Sequence, residues 1–368
     1  MFVPIDYNVG LAMALGALCC WGSWSVTLVL ASKEMSFQMY YAHFTLSFLV
    51  TGFAVGAVGG SVGSGGDHYH FRPYFEDVAG GCDPSCYAWA MSGGIVWNIA
   101  NVLLCKGIGM MGNAIGFPLC VGLGMVTGAV VGYVSDPGKS NLAYLVPGIS
   151  VALLGIFTVG LLSHRKEQEL AQEDFDAVCS EEPSSAESGS GEEEDSEATA
   201  ATVARPGMAR KLMVCIVGGL FLGLSNIGVA RATGVGCGLS PYSNQTYFSI
   251  GVFVSSLVLI PLVTWFPLEG GAGASLASAL QQRPGARARA LAALGGFVLC
   301  AGFFFFNLGN KPLGLTVTYC IGQSAPMIGI LWGTFFFKEF AGTSWRVKGL
   351  IPVVCAFFAT GILLIAAA

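Results

Sequence analysis

Charge is what this chain has least of. Asp, Glu, Lys and Arg make up 11% of its 368 residues, where a soluble domain carries about 25%. The deficit excludes an ordinary water-soluble globule. What charge there is sits mostly in one place: residues 164–210 hold 13 of the 22 acidic and 4 of the 17 basic residues. That stretch is −9 and the remainder +4, so the acidity describes one segment and says nothing about a ligand. No nucleic-acid partner is expected.

Other absences narrow the class. The 12 cysteines include no zinc-type CxxC pair. Cys19, Cys20, Cys105, Cys120, Cys215, Cys300, Cys320 and Cys355 lie within apolar runs, where a thiol behaves as a small hydrophobe. The N-terminus lacks a basic n-region, so no cleavable signal peptide is expected and the first apolar run serves as its own insertion signal. No apolar run holds paired carboxylates, a histidine cluster or a Ser/His/Asp set, which argues against an enzyme and against any metal or cofactor. Glu34, Asp136 and Glu339 stand at the ends of runs, never at a centre. His43 alone among the histidines falls inside one, and reads as a polar contact near an interface.

What is present is apolar length. The composition is 54% hydrophobic with 52 glycines, and a hydrocarbon layer about 30 Å thick takes roughly 20 apolar residues in a helix. Ten stretches qualify: 9–31, 37–60, 87–106, 111–134, 141–163, 211–231, 246–267, 288–308, 313–337 and 347–367. Backbone groups in lipid must be satisfied internally, so each reads as a helix. Residues 1–163 and 211–368 then form two five-helix units. The acidic, Ser/Gly/Ala-rich segment 164–210 between them buries too little to order itself and is expected to be a disordered tether. Its start has the composition to extend the fifth helix by a turn or two, and Ser184, Ser185, Ser188 and Ser190 suit acidophilic kinases.

The two units resemble each other. Shifted by 202 residues, Gly93-Gly94 falls on Gly295-Gly296, Gly107 on Gly309, Gly112 on Gly314 and Met125 on Met327; shifted by 201, Gly22 falls on Gly223. Five is odd, so two such repeats insert with opposite orientation. The expected fold is all-α and integral to the membrane, with ten helices as two inverted five-helix repeats. On that topology one face carries Arg72, Lys139, Arg231 and Lys311, and the other carries the remaining 13 basic residues. Lysine and arginine mark the cytoplasmic side. Both termini are therefore expected outside and the acidic segment in the cytosol, in the plasma membrane rather than an internal one.

The outer loop carrying His68, His70, Cys82 and Cys86 then faces Cys237 across the same surface. Free thiols, a disulfide within the trio and a metal site are the alternatives. A sequon, Asn244-Gln245-Thr246, sits at the start of the seventh span.

Several segments, GGIVWNIANVLLCKGIGMMGNA (93–114), LVPGISVALLGI (145–156), SPYSNQTYFSIGVFVSSLVL (240–259) and WGTFFFKEF (332–340), resemble the ureide permease family within the drug/metabolite transporter superfamily. The hydrophilic segment after the fifth helix occupies that family's place too. Rhamnose and glucose/ribose uptake porters share the plan. The resemblance implies a carrier of ureides, nucleobases or related heterocycles. The family's nucleotide-loop-like central motif has no counterpart here. In Gly138-Lys139-Ser140 the preceding glycine, Gly132, is one residue too far away, and the triplet reads as a turn between spans.

Uncharged polar groups at mid-membrane cost free energy unless paired or facing water, so their positions nominate a cavity. Asn98 and Asn101, three apart on one helix face beside Trp97, are candidates, with Trp24, Asn226, Asn307, and Tyr319 and Gln323 four apart on another helix. The tryptophans would supply stacking surface, the amides and hydroxyl hydrogen bonds. The competing reading makes them interhelical bonds and interfacial tryptophans. Pro118 and Pro326 each free a backbone carbonyl. Gly124, Gly128, Gly322 and Gly329 are expected to form close-packed sliding helix faces.

The expected partner is thus a small polar solute crossing the lipid bilayer by alternating access. Facilitated diffusion, proton coupling through peripheral groups and cation coupling through backbone carbonyls are the alternatives for what drives it. Competing functions are a sugar or nucleotide-sugar carrier and a membrane receptor or scaffold acting through the acidic linker.

Overall fold

The computed structural model describes residues 1–111, 116–180, 207–268, 275–281 and 283–368. Their regular structure is helical: α1 (Tyr7–Ala31), α2 (Phe37–Ser61), α3 (Tyr74–Val78), α4 (Pro84–Met111), α5 (Gly116–Ser135), α6 (Leu142–Ser180), α7 (Met208–Thr233), α8 (Pro241–Trp265), α9 (Leu276–Leu280), α10 (Ala286–Leu313), α11 (Leu315–Gly322), α12 (Pro326–Leu331), α13 (Trp345–Lys348) and α14 (Leu350–Ala366). Local chemistry starts several of them. Asp6 accepts from the amides of Asn8 (2.8 Å) and Val9 (3.2 Å) ahead of α1. Ser240 accepts from Ser243 N (3.1 Å) ahead of α8, whose first residue is Pro241. Both arrangements satisfy orphan donors of a first turn.

Among the described residues, eight helices are long and apolar enough to span a bilayer: α1, α2, α4, α6 (over 142–170), α7, α8, α10 and the unit running from Trp345 to Ala366. By length and composition the chain is a multi-pass integral membrane protein. The fourth expected span corresponds to α5, whose stretch Leu119–Ser135 is apolar.

The ninth expected span, 313–337, is not continuous. It breaks after Gly322, resumes at Pro326 and ends in a π turn, Trp332–Phe336. Proline has no N–H to offer the carbonyl four residues back, which is Gly322, and its ring collides with that carbonyl. The chain compensates with tighter bonds, Ser324 N to Ile321 O and Ala325 N to Gly322 O, each 3.1 Å.

The region after 163 also departs from expectation, since α6 continues as helix to Ser180. Its extension is docked. Lys166 pairs with Glu339 at 2.8 Å, and Glu169 accepts from Ser344 N at 2.7 Å. These partners lie far along the chain, so composition alone did not show them. Residues 181–206, with Ser184, Ser185, Ser188 and Ser190, lie outside the described residues, as does Gly112.

Small residues let helices approach to backbone contact. Gly94 of α4 lies against the Phe248 carbonyl of α8, and a Cβ there would stand 3.1 Å from Val252 N. Gly296 of α10 lies against the Phe44 carbonyl of α2, and a Cβ there would stand 3.0 Å from Phe48 N.

On the loop side that joins α2 to α4 and α7 to α8, Cys86 and Cys237 form a disulfide. Cys82 is a free thiol that accepts from Arg72 Nη1 (2.6 Å) and donates to Asp77 Oδ1 (3.3 Å). Burial first, and the Asp77 carboxylate second, push that thiol above its ordinary value, with Arg72 opposing. Asp77 is buried and its other oxygen accepts from Ser240 N at 3.3 Å. The sequon residues Asn244, Gln245 and Thr246 are each 0% exposed inside α8, so they are no site for a glycan.

Candidate functional site

Seven helices and one helix break contribute to the wall of a central cavity. Its wall includes Trp21 and Trp24 of α1, Trp97 and Asn101 of α4, Asn226 of α7, Phe248 of α8, Phe303 of α10, Tyr319 of α11 and Gln323 in the break, with Phe117 of α5. None of the lining side chains is ionisable to a charge at neutral pH. The free volume is about 50 Å³. That holds a few waters and no heterocycle, so the walls must part to admit a solute.

The aromatic side of the wall is interlocked. Trp97 stacks on Phe48 (centroids 5.7 Å, interplanar 18°) and meets Phe303 edge-on at 5.1 Å. Phe303 lies 4.9 Å from Phe248 and 5.1 Å from Trp21. Such tilted and T-shaped arrangements are the favoured ones for π systems. They hold the indoles in fixed orientations.

The polar side is incomplete. Trp21 Nε1, Asn226 Nδ2 and Tyr319 Oη are buried without a hydrogen-bond partner among the described residues, each residue being under 10% exposed. Gln323 is near enough to act electrostatically on the Tyr319 hydroxyl without reaching hydrogen-bond geometry. A buried polar group left unpaired costs about 1–3 kcal/mol. Three in the wall of one cavity mark a place where an incoming group has partners waiting. An indole N–H and an amide NH₂ are donors only, and a phenol can donate.

Of the eight residues nominated from sequence, the structure brings Trp24, Trp97, Asn101, Asn226, Tyr319 and Gln323 to this cavity and leaves two away from it. Asn98 is consumed by helix packing: its Oδ1 accepts from Tyr41 Oη (2.6 Å), and its Nδ2 donates to Val252 O (3.0 Å) and Ser255 Oγ (2.8 Å). Asn307 is likewise used, accepting from Asn244 Nδ2 (3.0 Å) and donating to Gln245 Oε1 (3.1 Å) and Phe303 O (2.9 Å). Asn101 gives one amide proton to Tyr41 Oη at 3.0 Å. Phe248 and Phe303 were not nominated, and Trp21 was assigned no role in the pocket. Trp21 stands three residues before Trp24 on the same helix face, a signal that was legible. Phe303 sits in a run of four phenylalanines (303–306), where periodicity distinguishes nothing.

The glycines divide similarly. Gly124 lies against Leu222 of α7, Gly128 against the Tyr319 ring and Gly322 against the Trp21 ring. Gly329 does not pack: a Cβ there would meet nothing within 4 Å, because the residue borders an open cleft.

The described residues thus place an aromatic-walled cavity, one side of it a broken helix, among the apolar spans of a multi-pass membrane protein. No protein-family model matches the sequence. The chain is similar over almost its whole length to ureide permeases of Arabidopsis thaliana. It is 22% identical to Ureide permease 4 over 391 residues (95% of this chain, 94% of that protein). It is also 22% identical to Ureide permease 2 over 396 residues and to Ureide permease 1 over 387, each covering 97% of this chain and 96% of the other.

Proposed function

We propose that this protein is a secondary transporter of ureides, nucleobases or related neutral heterocycles, and that the central cavity is its solute site. The observation that carries the reading is the set of three unpartnered groups, Trp21 Nε1, Asn226 Nδ2 and Tyr319 Oη, in the wall of one aromatic-lined cavity. Carbonyl oxygens of a planar solute would satisfy them, with Trp24 and Trp97 against its faces. Asn101 and Gln323 add amide groups able to meet its N–H edges. The absence of a cation from the lining disfavours a nucleotide-sugar, whose phosphates need one. The full-length likeness to ureide permeases points the same way.

The mechanism is alternating access by two five-helix units, residues 1–163 and 211–368, in the ten-span inverted-repeat plan of the drug/metabolite transporters. Three observations support it. The Gly94–Phe248 and Gly296–Phe44 contacts are equivalent under the internal repeat, each placing a glycine of one unit on a helix of the other or its counterpart. A discontinuous helix at the site is a recurring carrier feature. The Cys86–Cys237 disulfide lies on the face poor in lysine and arginine, as expected if that face is extracellular. The membrane is then the plasma membrane, and the segment 164–210 is cytosolic.

Uptake of labelled allantoin, uracil and glucose by cells expressing the chain, with and without a proton uncoupler, tests the reading. Saturable heterocycle uptake is the expected result, and the uncoupler shows whether protons drive it. Uptake of glucose alone would move the protein to the sugar porters.

A further inference from the structure

A second cleft lies directly beside the central cavity. Gly22, Ser25, Phe117, Ser163, Gly329 and Glu339 are among its walls. Phe117 belongs to both spaces. The neighbours Trp21 and Gly22, Trp24 and Ser25, and Ala325 and Pro326 each divide between them, the first residue lining the cavity and the second the cleft. Among the described residues, the body of α1, the Phe117 ring and the α11–α12 break thus stand between the two. The cleft is polar, with two serine hydroxyls and a carboxylate. A lipid-facing groove looks different: the one between α5 and α6 is walled by Leu119, Leu123, Val126, Leu153, Ile156 and Phe157.

The carboxylate of Glu339 closes the cleft. Its Oε2 lies 2.8 Å from Lys166 Nζ, a residue 173 positions earlier and on the extension of α6 beyond the first five-helix unit. Lys166 also lies over the Phe340 ring at 5.1 Å. Local backbone geometry sets the carboxylate in place. Lys338 has a φ of 52°, the left-handed turn that ends many helices, and Glu339 N bonds back to Gly333 O at 2.9 Å. Gly333 leaves the room: a Cβ there would stand 3.4 Å from Glu339 Cδ. The pair is not sealed from water, its side chains being 19% and 46% exposed. An ion pair in such a setting is weak enough to open and close readily, where a fully buried one is costly to break.

We infer that this cleft is the mouth of the solute path on the lysine- and arginine-rich face, and that the Lys166–Glu339 pair is the latch that shuts it. The inference rests on the transport reading above. When the pair parts, Ser25 and Ser163 line a wet vestibule, and displacement of the Phe117 ring joins it to the central cavity. The neutral solute that occupies the cavity passes between the hydroxyls of this vestibule. The structure, with latch closed and cavity contracted, is the occluded arrangement.

Maleimide labelling of the thiol introduced by Ser163→Cys, on the purified full chain in detergent micelles, tests the latch without any solute. The rate at that residue is read by mass spectrometry against the parent chain and its free cysteines. Glu339→Gln and Lys166→Gln are each expected to raise the rate at least fivefold. The charge-reversed pair Lys166→Glu with Glu339→Lys is expected to return it to the slow value, which also shows that the chain still folds. Equal rates in all four backgrounds, or a fast rate that charge reversal does not slow, would overturn the latch. Solute flux by the same proteins in vesicles separates the two claims. Flux with no labelling response defeats the latch alone, whereas a labelling response in a chain that carries no solute defeats the transport reading.

Discussion

Gly128 of α5 faces the ring of Tyr319 on α11, so closely that a Cβ at Gly128 would overlap ring Cε1 and stand 2.6 Å from Cδ1. The ring of a cavity residue thus occupies the space that a missing side chain provides. Any larger residue at 128 displaces Tyr319 from the wall. Gly322 holds the same relation to Trp21, with a Cβ there 2.6 Å from Cζ3. Both relationships couple helix packing to the placement of a hydrogen-bond donor.

Gly128→Leu is therefore predicted to reduce solute uptake at least about a hundredfold, with an overpacking cost of about 1–3 kcal/mol seen as a lower melting temperature in detergent. Gly329→Ala, at a position with nothing to strike, is predicted to leave the melting temperature unchanged. Wild-type uptake by a well-expressed Gly128→Leu protein would show that Tyr319 does not matter where it stands.

Asn226 and Asn98 make an informative contrast. Asn226 Nδ2 has no hydrogen-bond partner among the described residues, so Asn226→Leu removes an unpaired polar group and is predicted to leave stability equal or raised. The same change is predicted to raise the apparent KM about tenfold, equivalent to about 1.4 kcal/mol. Asn98→Leu does the opposite. It removes the acceptor of the buried Tyr41 hydroxyl and one donor each from Val252 O and Ser255 Oγ, and it is predicted to cost about 1–3 kcal/mol of stability with little change in KM for the protein that still folds. Thermal melts beside uptake kinetics read both effects.

Gln323 sits in the break between α11 and α12, at the cavity wall. Gln323→Ala is predicted to raise the apparent solute constant several-fold while surface abundance, measured by biotinylation, stays constant. An unchanged constant would remove Gln323 from the site.

The disulfide ties the start of α4 to the α7–α8 loop across a separation of 151 residues. Closing so long a loop stabilises the fold by about 2–4 kcal/mol. Cys237→Ser is predicted to lower the melting temperature in a non-reducing buffer, and reducing agent is predicted to lower the parent protein's melting temperature to match. Cys82 is expected to stay a free thiol in the parent, where Cys86 and Cys237 are already joined to each other. A Cys82-containing bridge found by peptide mapping of the parent would contradict this pairing.

Which parts of this structure could be read from sequence follows from how local the governing physics is. Helix positions were legible because lipid demands a long apolar run, and most bounds moved by only a few residues. The interruption of the ninth span was legible in Pro326 itself, whereas the π turn that ends the span, Trp332–Phe336, was not, because backbone geometry and not hydropathy decides it. Trp24, Trp97, Asn101, Asn226, Tyr319 and Gln323 were legible as polar or indole groups deep in apolar runs. Asn98 and Asn307 carried the same signal and are nonetheless spent on Tyr41 and Asn244, partners far along the chain that no spacing rule names. The helical extension to Ser180 was hidden for the same reason, since its supports, Glu339 and Ser344, lie in the other half.

The most direct measurement is uptake of labelled uracil and allantoin into proteoliposomes holding the purified chain, compared with Tyr319→Phe, which keeps the aromatic ring and deletes only the Oη hydroxyl. Saturable uptake by the parent and a several-fold higher KM in the variant are predicted, with glucose carried by neither. Equal kinetics in parent and variant, or uptake of glucose alone, would contradict the assignment of this cavity to a carbonyl-bearing heterocycle.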